Sequence, residues 1–317
     1  MKKILGLGNC LVDVLVQLAD NEQLLSLGLP AGSMRLIDLN EKEKIDTFVC
    51  NVENRRMPGG SAANTIKALG SAGVGVGFVG KIANDSNGDF FARTLESVGV
   101  EMFMSRGDGA ATGVANTFIT PDGQRTFATY LGISGSLCPD DVSPRVLDGY
   151  DLLYVEGYMV QNRDLMDYVM SEAQRRGMKV CLDLASYNVV ESNRDFFRHL
   201  LEDYVDIVFA NAEESRAMTG VEPRSALLEL GSVCEVAVVK LGARGAVAMA
   251  DGEVASVPAC EVPAVVDTTG AGDYFAAGFL EAMVRGGNLE DRLLQGSRLS
   301  AKVIQVVGCP IFSQDNV

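Results

Sequence analysis

The sequence predicts an α/β fold: a mostly parallel sheet flanked by helices, with a small β-sheet lid. Three observations point to it. Short apolar runs bounded by glycine recur along the 317 residues. Amphipathic stretches of helical length separate many of them, and buried strands alternating with helices build a parallel sheet covered on both faces. Two regions, about 11–56 and 112–131, break this rhythm and supply the lid.

In chain order, ILGLG at 4–8 is the first strand. Residues 11–56 then alternate less cleanly and carry several acids. SAANTIKALGSA (61–72) predicts a helix, GVGVGFVG (73–80) a buried strand and GDFFARTLESVG (88–99) another helix. TGVANTFITPDGQRTFATYL (112–131) predicts a hairpin turning at Pro121-Asp122-Gly123. LLYVEG, KVCLDL, DIVFAN and EVAVVKLG are further strands, with helices in DLMDYVMSEAQRRG and RDFFRHLLEDY. An apolar, strand-like run ends at Asp267. Two helices close the chain, about 271–285 and 289–306, divided by Gly286-Gly287. With no Pro- or Ser-rich linker, residues 1–317 are expected to form one domain with its lid.

Composition excludes several classes of function. The net charge of −15 argues against nucleic acid or an anionic membrane surface as a partner. No apolar run reaches the 18 residues or so of a membrane span. The opening MKKILGLGNCLVDVLVQLAD resembles a secretory leader, but it contains Asn9 and Asp13 and lacks a small-residue cleavage pattern. The seven cysteines form no CxxC pair and are odd in number, which fits free thiols in a reducing cytoplasm. The single histidine, His199 in FFRHLLEDY, reads as a helix-surface residue without a nucleophile–base constellation.

The chemistry concentrates in DTTGAGDYF, residues 267–275. A glycine-rich turn feeding a helix aims free backbone N–H groups and the positive helix end at one point, which suits an anion. Phe275, Phe279, Ala282 and Met283 are spaced for one buried face of that helix. Asp273 stands in its first turn, where a carboxylate would repel a resting phosphate. It has a use there if it accepts the proton of an incoming hydroxyl while the amides of Gly270, Ala271 and Gly272 stabilise the transferring phosphoryl group. Taken alone, the run is equally compatible with an acid that complements a helix dipole.

Other glycine patterns carry less. Gly75 to Gly80 spells GxGxxG but lies within a strand, and after Gly6-Leu7-Gly8 the third glycine of a dinucleotide fingerprint is Leu11. No GxxxxGK[ST] exists, so a P-loop kinase is excluded.

DTTGAGDYF together with PGGSAANT (58–65) resembles the ribokinase (PfkB) family of carbohydrate and nucleoside kinases. GNCLVDVL, GKIANDSNG, NAEE (211–214) and VVKLGARG (238–245) extend the resemblance, in register, over essentially the whole chain. It implies a Rossmann-like α/β domain with a β lid that closes over the substrate, Asp273 as base and Gly270–Gly272 as anion hole. It implies acceptor binding by Asn9, Asp13 and Asn64, beside the backbone of Gly59-Gly60. A carboxylate can accept from two adjacent hydroxyls, and an asparagine can both donate and accept. Without the resemblance, Asn64 would be assigned to capping a helix near Ser61. Asn211 and Glu214 match the NxxE associated with ATP and Mg²⁺, Glu214 acting through water; the same pair also fits a capping box. Gly242 and Gly245 match a nucleotide-binding turn that is equally an ordinary hairpin, and Lys240 stands close enough in sequence to approach the ATP phosphates. Many members use a monovalent cation, so K⁺ is suggested beside ATP and Mg²⁺. Ala83 departs from the glycine many members carry.

Within the family, Ser61 replaces the lysine that ribokinase-like members carry after the glycine pair, as in the adenosine kinases. GLPAGSMRLID, YVDIVFANAEE and VVGCPIF also resemble that branch. The resemblance places Met34, Phe118 and Tyr158 near a flat purine base, which needs apolar or aromatic surface. The expected acceptor is therefore adenosine or a related ribonucleoside, with a free sugar such as ribose or fructose as the alternative. A non-catalytic ligand-binding protein of the same fold fits less well with an intact Asp273 and glycine run. Monomer and homodimer are both compatible with the sequence.

Overall fold

The computed structural model describes residues 2–31, 33–121 and 125–312, with Met34 as backbone only. Asp122 and Gly123 of the predicted hairpin turn lie outside the described residues.

The strands, in chain order, are β1 (Ile4–Leu7), β2 (Leu11–Gln17), β3 (Met34–Leu36), β4 (Asn54–Gly59), β5 (Val76–Ala83), β6 (Val100–Gly107) and β7 (Gly113–Ile119). They continue as β8 (Arg125–Tyr130), β9 (Leu152–Glu156), β10 (Lys179–Asp183), β11 (Ile207–Asn211), β12 (Val236–Lys240), β13 (Ala246–Ala250) and β14 (Glu253–Val257). Nine of them form one sheet in the order β14-β13-β12-β11-β10-β9-β1-β5-β6. All its pairings are parallel except the two at the β14 edge. The remaining five make a second sheet, β3-β8-β7-β2-β4; β4 runs to Gly59, beyond the 11–56 stretch.

Burial on both faces explains why the central strands read as unbroken apolar runs. The strand pleat sends Tyr154, Cys181 and Phe209 into one core and Leu153, Val155, Val180 and Val208 into the other. On the first side the predicted C-terminal helices appear as Ala271–Val284 and Leu289–Val303. Phe279 meets Phe209 edge-on, with ring centroids 5.3 Å apart.

The run before Asp267 is not a strand. It stays irregular, with Val265 59% and Val266 50% exposed. Its amides find no sheet partner; those of Val266 and Asp267 both donate to the Ile304 carbonyl at 2.8 and 3.1 Å. Local apolarity suggested a strand, and the carbonyl at a helix end supplied the alternative.

The parallel strands end along a cleft that the second sheet covers. Its centre lies between β1 and β9, where connections leave to opposite sides. Open α/β sheets hold ligands at such switch points. Among the described residues, no helix is long and apolar enough to cross a membrane.

Candidate active site

The cleft has a volume of about 1220 Å³ and is lined by both sheets. Two helix N-termini converge in it. The helix Ser61–Ser71 starts from Gly60 at φ 93°, and the helix Ala271–Val284 starts from Gly270 at φ 73°; neither glycine can supply a side-chain cap of its own. Glycine is required at both starts. A Cβ on Gly60 would lie 2.3 Å from the Asn9 carbonyl oxygen, and one on Gly270 would lie 2.1 Å from Cys309 Sγ.

Asp273 sits where the two helices meet. Ser61 Oγ donates to its Oδ1 at 2.8 Å, and Asn64 Nδ2 donates to its Oδ2 at 3.0 Å. Burial pushes the Asp273 carboxyl up to about 6, with these two hydrogen bonds opposing. Asn64 therefore does not cap its helix; it holds Asp273. Ser61, noted in the sequence for its type, touches the same carboxylate.

Asp13 enters from the lid. Along β2 the side chains alternate, so Asp13 and Leu11 face the cleft while Val12, Val14 and Val16 join the core. Burial raises Asp13 to about 7, with Lys67 opposing and Asp273 adding to the rise. Gly59 lies behind this carboxylate and does not line the cleft; a Cβ there would come within 2.0 Å of Asp13 Oδ1.

Asn9 follows β1 and is 4% exposed. Its backbone and side-chain amides both donate to Glu156 Oε1, at 2.9 and 2.7 Å. Glu156, at the end of β9, also accepts from Ala62 N at 2.7 Å and so caps the Ser61–Ser71 helix from outside. Burial raises its carboxyl to about 7 against these three donors.

At the other end of the cleft, Lys240 at the end of β12 donates to Asp183 Oδ2 at 2.7 Å. Its Nζ would be 3.1 Å from a Cβ on Gly272, so an ammonium stands at the start of the Ala271 helix. Burial works against that charge, but Asp183 and Glu214 outweigh it and raise the Lys240 pKa. Asn211 and Glu214 form the capping box of the helix Ala212–Thr219, and both still line the cleft. Gly242 and Gly245 make the β12–β13 turn, at φ 62° and 91°, and line it too. Among the described residues, no three His, Cys, Asp or Glu side chains gather to cage a metal. Magnesium held largely by phosphates and water, with Glu214 in its outer shell, is compatible with this donor set.

Phe118 is a correction. It pairs with Val16 on the face of the second sheet opposite to Asp13, is wholly buried and packs against Phe48. The cleft-facing aromatic of this sheet is Phe127 on β8, with Leu36 and Thr129 beside it. Tyr158 does line the cleft; the Met34 side chain lies outside the described residues. Glu156, Asp183 and Arg125 also line the cleft, outside the motifs that stand out in the sequence. The first two are acids that end apolar parallel strands, a detectable signal at the ligand-binding edge. Arg125, on β8, donates to Thr269 Oγ1 at 2.9 Å and pairs with buried Asp267, tying the lid to the glycine-rich turn.

Comparison with known proteins agrees with this architecture. The sequence pattern of the pfkB family carbohydrate kinases matches residues 31–316. The structure of an adenosine kinase from Sinorhizobium meliloti superimposes with a TM-score of 0.90 and 32% identity, over 98% of this chain and 97% of that one. A probable sugar kinase from Rhizobium etli gives 0.89 and 30%, over 98% and 96%. An aminoimidazole riboside kinase of Salmonella typhimurium is 30% identical over 254 residues, 75% of this chain and 77% of that protein. Fold and site define a phosphotransferase whose acceptor is an alcohol. The relatives agree on this chemistry while differing in the acceptor they are named for. The chain belongs to the pfkB family of carbohydrate kinases.

Proposed function

We propose that the protein transfers the γ-phosphate of ATP to the 5′-hydroxyl of adenosine or a related ribonucleoside. One observation carries the reading: a buried carboxylate, Asp273, is held by Ser61 and Asn64 at an uncapped helix N-terminus, within the cleft that Asp13 shares. Asp13 and Asn64 take the ribose hydroxyls, and Asn9 stands beside them, fixed by Glu156. Phe127, Leu36 and Tyr158 offer apolar surface for a base. Asp273 takes the proton as the ribose oxygen bonds to phosphorus. The bond from phosphorus to the β-phosphate oxygen breaks, and ADP leaves with both electrons. Amides of Gly270–Gly272 and the Lys240 ammonium stabilise the charge on the transferring group. Magnesium, when bound, neutralises phosphate charge from the side of Asn211 and Glu214. The seven free cysteines suit a reducing, cytoplasmic setting.

A sugar kinase is the second reading, supported by the similarity to the Rhizobium etli protein and by an unchanged base. A panel of nucleosides and sugars assayed for ATP consumption, with and without K⁺, separates them. Turnover of ribose or fructose with none of adenosine rules out the nucleoside assignment. Asp273→Asn is expected to keep the fold and lower kcat by roughly 10²–10⁴. Near-normal turnover in that variant would remove Asp273 from the role of base.

A further inference from the structure

Lys67 lies one helical turn after Asn64 and is 1% exposed. A buried ammonium is costly unless its protons find acceptors. Lys67 Nζ donates to Asn64 Oδ1 at 3.0 Å, to the Pro58 carbonyl at 3.1 Å and to the Cys309 carbonyl at 2.7 Å. All three protons are thereby used. The partners come from the active-site helix, the end of strand β4 in the lid sheet, and the C-terminal segment.

The contact to Asn64 determines which way its amide points. With Oδ1 turned to Lys67, Nδ2 is the end that meets Asp273 Oδ2 at 3.0 Å. A reversed amide would set its oxygen against a carboxylate and its NH₂ against an ammonium. We propose that Lys67 is a positioning residue for this active site: it orients Asn64 toward Asp273 and supplies the positive charge beside Asp13, so that Asp13 can ionise next to Asp273 around the acceptor. The proposal rests on Asp273 being the base.

The charges around the cleft support this division of labour. Asp13 on β2, Asp273 on the Ala271 helix, Glu156 on β9, Asp183 on β10 and Glu214 after β11 are all acids in or beside one cleft. Lys240 is paired with Asp183 at the nucleotide end and also favours the charged form of Asp273, and Arg125 is paired with Asp267. Tyr154, Tyr158, Tyr274 and Cys309 are held neutral, their pKa values raised chiefly by burial. Burial lowers the Lys67 pKa, while Cys309, Asp13 and Asp273 oppose that fall. Among the described residues, this leaves Lys67 as the cation coupled to Asp13.

The test is the pH profile of kcat/KM for the acceptor. Lys67→Gln removes the charge but keeps donors; Lys67→Met removes both. Each is expected to move the acid limb up by about one pH unit, with KM for ATP unchanged. Lys67→Met should also lower kcat about tenfold below Lys67→Gln, because Asn64 is then free to turn. Acid limbs that superimpose on the wild-type limb overturn the proposal. Should Lys67→Met not fold, Asp13→Asn is compared with Asp13→Asn/Lys67→Met, where both buried charges leave together. A higher limb in the double variant supports the role, and coincident limbs overturn it. Asp273→Asn run alongside separates the two failures. If it turns over normally, the base assignment falls and this proposal with it. If it is inactive while the Lys67 variants keep the wild-type limb, only the role of Lys67 falls.

Discussion

Phe118 and Phe127 face each other's strands in the lid yet belong to opposite faces of it. Alternation along β7 and β8 decides this, because one residue of offset moves a side chain from cleft to core. Phe127→Ala is expected to raise KM for a nucleoside roughly tenfold, about 1.4 kcal/mol, while the fold keeps its stability. Phe118→Ala should do the reverse, costing about 3–5 kcal/mol of stability with KM barely changed. Denaturant unfolding and steady-state kinetics on the two variants check both. Resemblance in sequence points to an aromatic on β7, but the face a side chain takes is set by the strand register. Asp273, by contrast, was legible because turn, glycines, helix start and acid are contiguous. Its partners Ser61 and Asn64 lie 212 and 209 residues away, a distance that only the fold closes. Lys67 gave no signal, since a lysine in an amphipathic helix ordinarily lies on the solvated side.

At the scale of elements, the site depends on how closely neighbouring strands approach. β2 and β4 pair with Leu11 opposite Gly59 and Asp13 opposite Met57. The Asp13 carboxylate occupies the space a side chain at Gly59 would need. Gly59→Ala is therefore expected to fold but to displace Asp13, raising KM for the acceptor about 10–100-fold, the loss of one or two charge-assisted hydrogen bonds. KM for ATP should not change, because Lys240, Asn211 and the β12–β13 turn lie on other strands. Equal losses for both substrates would show that the substitution disturbs the whole lid. The irregular run before Asp267 shows the limit of reading elements from apolarity. Valines that look like a strand were available to the cleft because no neighbouring strand claimed their amides.

For the whole molecule, activity and stability respond oppositely to pH. Asp13, Glu156 and Glu214 are raised by burial to about 7 and Asp273 to about 6, against about 4 in an unfolded chain. Between those values the native state holds more protons than the unfolded one, so stability falls as pH rises. His199, raised chiefly by its hydrogen bond to Asp167, acts in the same sense: its contribution is present at low pH and lost as pH passes its folded value. Asp141 and Asp85 act oppositely. Burial raises them, but hydrogen bonds from Lys81, Ser105 and Cys138 hold Asp141 at about 2, and those from Thr112 and Gly88 lower Asp85. Their stabilisation is lost only below about pH 4. The ligand-free protein should be most stable near pH 4, whereas kcat/KM should rise through about pH 6–7 as Asp273 and its neighbours deprotonate. Denaturant midpoints and kinetics over one pH series check this; midpoints that climb with activity would contradict it.

Three residues, Gly8 to Cys10, separate the end of β1 from the start of β2. Asn9 is anchored to the large sheet through Glu156, while Asp13 travels with the small one. On the proposed assignment, a sugar ring gripped by both fastens the two sheets together, and its grip is complete only when they are close. A water molecule beside ATP cannot bridge that gap. The phosphate would then be spared from idle hydrolysis because the acceptor itself is the part that shuts the enzyme.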